Sequence, residues 1–179
     1  MKKPSLILTG HLNGVLWIRP EGRGTFQESA LIKTFVETAR GSEYEDFTID
    51  LEACPGMDST FMGMLAGLGM LFRKEGKGEL SIVGTNDKTK ASLMELGVHY
   101  MTSIEPADAV WNDEIEAYRE DLVPLNVTTD CEMGDHILES HENLCLTDEA
   151  NFARFEDVLK MFGSKIDMPC DETGEAPCK

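Results

Sequence analysis

The chain has 179 residues, with 33 acidic against 16 basic side chains and a net charge of −17. So acidic a surface opposes direct binding to nucleic acid or anionic membrane, both of which need a basic face. The length allows one ordinary domain plus an extension, and five irregularly spaced cysteines form no disulfide framework.

The charge is uneven. Residues 1–110 carry 15 acidic and 11 basic side chains, whereas residues 111–179 carry 18 and 5. This shift puts a boundary near 111–130 and predicts a domain at 1–119, a linker at 120–134, a helical extension at 135–163 and a disordered tail at 164–179. Met1-Lys2-Lys3-Pro4 leads into a short apolar run that polar His11 and Asn13 soon end, which is not a signal peptide. The longest apolar stretch, around Phe61 to Phe72, is interrupted by three glycines and falls short of a membrane span. The expected location is a reducing cytoplasm.

Leu6-Ile7-Leu8 and Val15-Leu16-Trp17-Ile18 read as strands joined through Asn13-Gly14, a strong hairpin signal. Thr25 with Glu28 three residues on forms a capping box. Phe26, Ala30, Leu31, Phe35 and Ala39 then make one apolar stripe, and Gly41 stops the helix. The alternating run at 46–52 is the central strand, followed by a helix from Ser59 that Gly76 and Gly78 end. Residues 79–84 form the next strand, Asn86 caps a helix running to Leu96, and 100–104 form the last strand. Glu105-Pro106 is expected to open another helix, on which Ala109, Val110, Ile115 and Tyr118 pack inward.

Strands alternating with helices of this length predict an α/β fold: a small mixed, mostly parallel sheet with right-handed crossovers, about five strands and four helices within 5–120. Beyond it, residues 136–145 read as a short helix with Ile137, Leu138 and Leu144 as a weak stripe. Thr147 should cap a second helix ending near Phe162-Gly163, with Phe152, Phe155, Val158, Leu159 and Phe162 on its apolar face. That face needs a cover, either the domain, the first of these helices, or a second copy in a homodimer.

The stretch around which the chain is organised is Cys54-Pro55-Gly56-Met57-Asp58-Ser59-Thr60-Phe61-Met62-Gly63. Pro55-Gly56 breaks the strand, Asp58 is a favoured N-cap, and Ser59 falls at the helix start. A phosphate on its hydroxyl would face free backbone N–H groups and the positive end of the helix dipole. Phe61, Met62 and Met64 divide evenly between core and partner surface, since flexible Met side chains suit interfaces. Gly63, Gly67 and Ala66 are the small residues that let the helix press on its sheet.

Asp58-Ser59-Thr60-Phe61-Met62-Gly63 after a hydrophobic strand resembles the Asp-Ser-Ser/Thr-Gly-x-Gly signature of the STAS domain, the anti-sigma factor antagonist family. The likeness covers residues 6–111 in element order, including Gly78-Glu79-Leu80-Ser81-Ile82-Val83-Gly84 and Leu93-Met94-Glu95-Leu96-Gly97; Phe61 stands where the family usually has Gly. The resemblance implies a regulatory interaction module, not an enzyme. Ser59 would be the phosphoacceptor, with Thr60 a lesser candidate, and Asp58, Thr60, Phe61, Met62 and Met64 would contact partners. Those partners would be an anti-sigma factor acting as switch protein kinase and a PP2C-type phosphatase, in the control of transcription in a bacterium. The alternative is a module of the same fold that answers a small ligand, a metal or another signalling protein without serine phosphorylation.

Three other constellations carry less. Cys131, His136, His141 and Cys145 lie within fifteen residues, but histidines five apart point about 140° from each other on a helix, so no metal is expected there. Cys170 and Cys178 fall in the expected disordered tail. Ser59 has no histidine near it in sequence, its surroundings are not a G-x-S-x-G elbow, and Gly22-Arg23-Gly24 lacks the residues of a phosphate loop. No cofactor is expected.

Overall fold

The structure is a computed structural model that describes residues 6–40, 44–109 and 111–166. Strands β1 (Leu6–Leu12) and β2 (Val15–Glu21) form the expected hairpin, with Leu12 opposite Val15 across Asn13-Gly14. Asn13 and Gly14 both have positive φ, as the tight hairpin turn demands. Next come β3 (Asp46–Asp50), β4 (Leu80–Val83) and the two-residue β5 (Ser103–Ile104), each parallel to its predecessor in the sheet. The spatial order is β5-β4-β3-β2-β1-β6, where β6 (Val123–Pro124) pairs antiparallel with β1. β3 lies inside the sheet, with Phe47 and Ile49 fully buried.

Helices α1 (Phe26–Ala39), α2 (Ser59–Glu75) and α3 (Asp87–Glu95) provide the crossovers. Their capping follows the sequence signals: Thr25 and Glu28 close a capping box on α1, Asp58 caps α2, and Asn86 caps α3. Ile32, Val36, Leu65, Leu68 and Leu93 pack on one face of the sheet with Phe47, Ile49 and Ile82. Alternation sends Val15, Trp17 and Val83 to the other face, where Trp111 and Tyr118 cover them. Tyr118 belongs to α4 (Ile115–Glu120).

The largest departures lie after residue 97. The strand expected at 100–104 is reduced to Ser103–Ile104, because Val98–Tyr100 closes a 3-10 turn against the end of α3. Pro106 opens no helix; residues 107–108 form a turn, and the next described helix begins with the 3-10 turn Asn112–Glu114 that feeds α4. The segment read as linker contributes β6, which the sequence hides because two residues carry no periodicity.

Beyond it, α5 (Met133–Thr147) is one long helix, not a short one at 136–145, and Thr147 is its last residue instead of the next cap. α6 (Ala150–Phe162) follows after Asp148, whose carboxylate accepts from the Ala150 N–H. Leu144, Cys145, Phe152, Phe155 and Leu159 join the same core as α1 and α2. Val158 is half-buried and Phe162 is 36% exposed, so the inward stripe of α6 is narrower than expected. Ile166 also packs on this core. The expectations for Gly41, Val110, Cys170, Cys178 and the tail beyond 166 fall outside the described residues.

Candidate functional site

The N-terminus of α2 is a hub of hydrogen bonds. Asp58 is half-buried, and both its carboxylate oxygens are used: Oδ1 accepts from the Phe61 N–H at 2.8 Å and Oδ2 from the Phe26 N–H at 2.9 Å. One side chain thus joins the starts of α1 and α2, consistent with the attraction of a carboxylate to the positive helix end. The backbone repeats the link, since Asp58 N–H donates to Gly24 C=O and Gly24 N–H to Gly56 C=O. Phe61, the residue that departs from the family signature, turns its ring under Gly24 and is wholly buried. A Cβ on Gly24 would come within 2.9 Å of that ring, so glycine there is what makes room for phenylalanine at 61.

Ser59 is half-buried, and its neighbour Thr60 is only 5% exposed. The Ser59 hydroxyl lies 2.9 Å from His141 Nε2 on α5. His141 Nδ1 lies 2.7 Å from the Ile137 carbonyl, an acceptor, so Nδ1 carries the proton and Nε2 accepts from Ser59. Phe155 of α6 packs its ring edgewise on this imidazole, centroids 4.8 Å apart. A second pair sits one turn earlier: Ser29 Oγ is 2.7 Å from His136 Nε2 and also donates to the Phe26 carbonyl. Burial, reinforced by Lys33, holds the His136 pKa below its ordinary value, so the ring is neutral where it packs. His136 and His141 each face a serine of the domain, and no group of three or more metal-binding side chains gathers among the described residues.

The helix that carries both histidines lies directly along α2. A Cβ on Gly63 would lie 2.1 Å from the Ser140 carbonyl oxygen, far inside van der Waals contact, and one on Gly67 would strike the Asn143 side chain. These two glycines therefore serve the close approach of α5, not the sheet. Met64 lines the seam with Ser140 and Asn143 and is 2% exposed; Met62 is 7% exposed. Phe61, Met62 and Met64 all stand on the core side of the division drawn from sequence. Burial pushes the Cys145 thiol on α5 up to about 11, which leaves it unreactive.

The sequence singles out Asp58 and Ser59 but does not show that His141 meets Ser59, nor that His136 meets Ser29. A signal was present. The buried positions of α5, His136, Ser140, His141, Leu144 and Cys145, trace a helical stripe at i, i+4, i+5, i+8 and i+9. Three of the five are polar, which hides the stripe from a hydrophobic count.

No protein-family profile matches the chain. No curated protein matches it either. Solved structures do match. One is the crystal structure of TM1081 from Thermotoga maritima, a candidate anti-sigma factor antagonist, at 18% identity and TM-score 0.51, spanning 62% of this chain and 92% of that one. The solution structure of TM1081 gives 16% identity and TM-score 0.52 over 60% of this chain and 86% of the other. At such identity the likeness shows the fold, and the fold is that of the STAS domain. No described helix is long and apolar enough to cross a membrane.

Proposed function

We propose that the chain is a regulatory interaction module of the anti-sigma factor antagonist kind, working in the cytoplasm, whose partner binding is switched by phosphorylation of Ser59. The observation that carries this reading is the hydroxyl of Ser59: it stands at the first position of α2, half-buried, and is held by a histidine of the C-terminal extension. Thr60 is nearly inaccessible by comparison, which favours Ser59 as acceptor.

The charge argument has two sides. A phosphate adds nearly two negative charges and would meet the free N–H groups of the α2 start, so α2 itself tolerates it. It would also remove the O–H that His141 accepts and stand beside the Asp58 carboxylate. The seat of α5 is therefore what the modification disturbs. Moving α5 uncovers Met64 on the seam, turning a change at one hydroxyl into a change of apolar surface.

By resemblance, the kinase is a switch protein that otherwise holds a sigma factor, and a PP2C-type phosphatase reverses the step. Asp58 is the accessible part of the proposed partner side; Thr60, Phe61, Met62 and Met64 are buried in this state, and Met64 is the first that a displaced α5 would free. The test is mass analysis of the protein purified from its own host, with the modified residue localised. A phosphopeptide containing Ser59, lost in the Ser59→Ala protein, is the expected result. Phosphate elsewhere, or none under any growth condition, overturns the reading.

A further inference from the structure

On the face of the sheet opposite α2, a groove of about 430 Å³ opens beside Trp111. Its floor is built from the outward positions of two adjacent strands: Thr48 on β3 and Ser81 on β4 are paired in register and are 1% and 8% exposed. The Thr48 Oγ1 is buried and has no hydrogen-bond partner among the described residues. An unmet hydroxyl at such depth is costly unless something in the groove bonds to it. This is a different feature from the site at Ser59, and it stands whether or not that serine is modified.

The rim sets the charge of what would fill the groove. Asp46, Glu79 and Asp108 line it and are exposed, and among the described residues no Lys, Arg or His lines it. Asp46 Oδ1 is fixed by the Glu79 N–H at 3.0 Å, and the Glu79 carboxylate by the Ser103 hydroxyl, so two of the three carboxylates are held in place. Anions such as phosphate esters are repelled. A bare metal ion lacks its ligand set, because no cluster of three or more metal-binding side chains occurs among the described residues. The remaining wall is apolar, with Trp111 at its back. An acidic rim, an apolar wall and a hydroxyl floor together describe one kind of guest: a short organic ammonium that carries its own hydroxyl.

We propose that the groove over Thr48 and Ser81 is a binding site for a small amino alcohol, its ammonium on Asp46 and Glu79 and its hydroxyl on Thr48 Oγ1. The test titrates ethanolamine into the full chain at fixed ionic strength and follows backbone amide shifts by NMR. Ethylamine, which lacks the hydroxyl, and 1-propanol, which lacks the charge, are run alongside. Saturable shifts centred on β3 and β4, with ethanolamine at least about 10-fold tighter than either analogue, are expected. Thr48→Val should abolish the preference over ethylamine, while Asp46→Asn and Glu79→Gln should each weaken ethanolamine several-fold. Shifts scattered over the acidic surface, equal binding of ethylamine, or an unchanged preference in Thr48→Val would overturn the proposal. Asp46→Asn keeps the side-chain oxygen that accepts from Glu79, so loss of binding there is not confused with loss of fold.

Discussion

Ser59 and His141 are 82 residues apart in the chain, and their side chains meet at 2.9 Å across the seam between α2 and α5. The hydroxyl donates, the imidazole accepts, and the opposite ring nitrogen is anchored on the Ile137 carbonyl. Removing the donor strands a buried acceptor, since His141 is 3% exposed. Ser59→Ala should therefore cost about 1–3 kcal/mol in chemical denaturation, more than a surface serine would. A loss below about 0.5 kcal/mol would mean that the bond contributes nothing in solution.

Gly63 offers a sharper probe of the same seam. Alanine there drives a methyl into the Ser140 backbone, which cannot rotate away as a side chain could. Overpacking of this sort costs about 1–3 kcal/mol. Gly67→Ala meets the end of the Asn143 side chain, which can swing aside, and should cost clearly less. Cys145 reports the outcome: buried in the native seam, it should gain thiol reactivity in Gly63→Ala and stay protected in Gly67→Ala. Equal protection in both variants would show that α5 does not depend on the close approach.

His136 carries a pH dependence whose direction follows from burial. Its folded pKa lies below the ordinary value, chiefly through desolvation and then through Lys33, with Glu139 and Asp58 pulling the other way. The unfolded chain binds a proton at higher pH than the folded one, so His136 contributes stability that is present above its unfolded pKa. That stability is lost as pH falls through about 6.5 toward the folded value. The midpoint of urea unfolding should drop over that interval in the wild type and drop less in His136→Gln, where a neutral amide faces Ser29. Parallel profiles for the two proteins would remove His136 as the source.

Phe155 tests the extension as a whole. It is 9% exposed, shares the core with Leu144 and Leu159, and packs edgewise on His141. Phe155→Ala should cost about 3–5 kcal/mol, and it should also loosen the Ser59 contact through the histidine. Hydrogen exchange at the α5 amides should rise further than at β3. A stability equal to wild type would mean that α6 lies on the core without holding it.

Much of this architecture was legible from local chemistry. The capping residues Thr25, Asp58 and Asn86 sit where their side chains close helices, because each acts within three residues of itself. The Asn13-Gly14 turn and the alternation of β3 are equally local. What could not be read is what depends on distant partners. β6 is a strand only because β1 offers it an edge. The Gly63 and Gly67 pair signals close approach without saying to what, and α5, not the sheet, is the answer. His136 and His141 look like failed metal ligands until α1 and α2 bring Ser29 and Ser59 to them.

On the other face of the sheet, Asp50 at the end of β3 is fully buried. Arg119 of α4 grips it from two directions, Nε to Oδ2 at 2.8 Å and Nη2 to Oδ1 at 3.2 Å. Trp17 Nε1 donates to Oδ2 at 3.2 Å and the Glu52 N–H to Oδ1 at 3.0 Å, so the carboxylate has four donors. Arg19, at 3.8 Å from Oδ2, adds charge without a close bond. Such a pair need not favour the fold on balance, because burying both charges costs much of what their attraction returns. Breaking it from one side is a different matter. Arg119→Met leaves a buried carboxylate short of its main counter-charge, and should cost about 3–5 kcal/mol. Asp50→Asn keeps the acceptor oxygen for Trp17 or Glu52, so Asp50→Asn with Arg119→Met should recover part of that loss. A double-mutant cycle measures the difference directly, and additive losses would show that Asp50 and Arg119 are neighbours without being coupled.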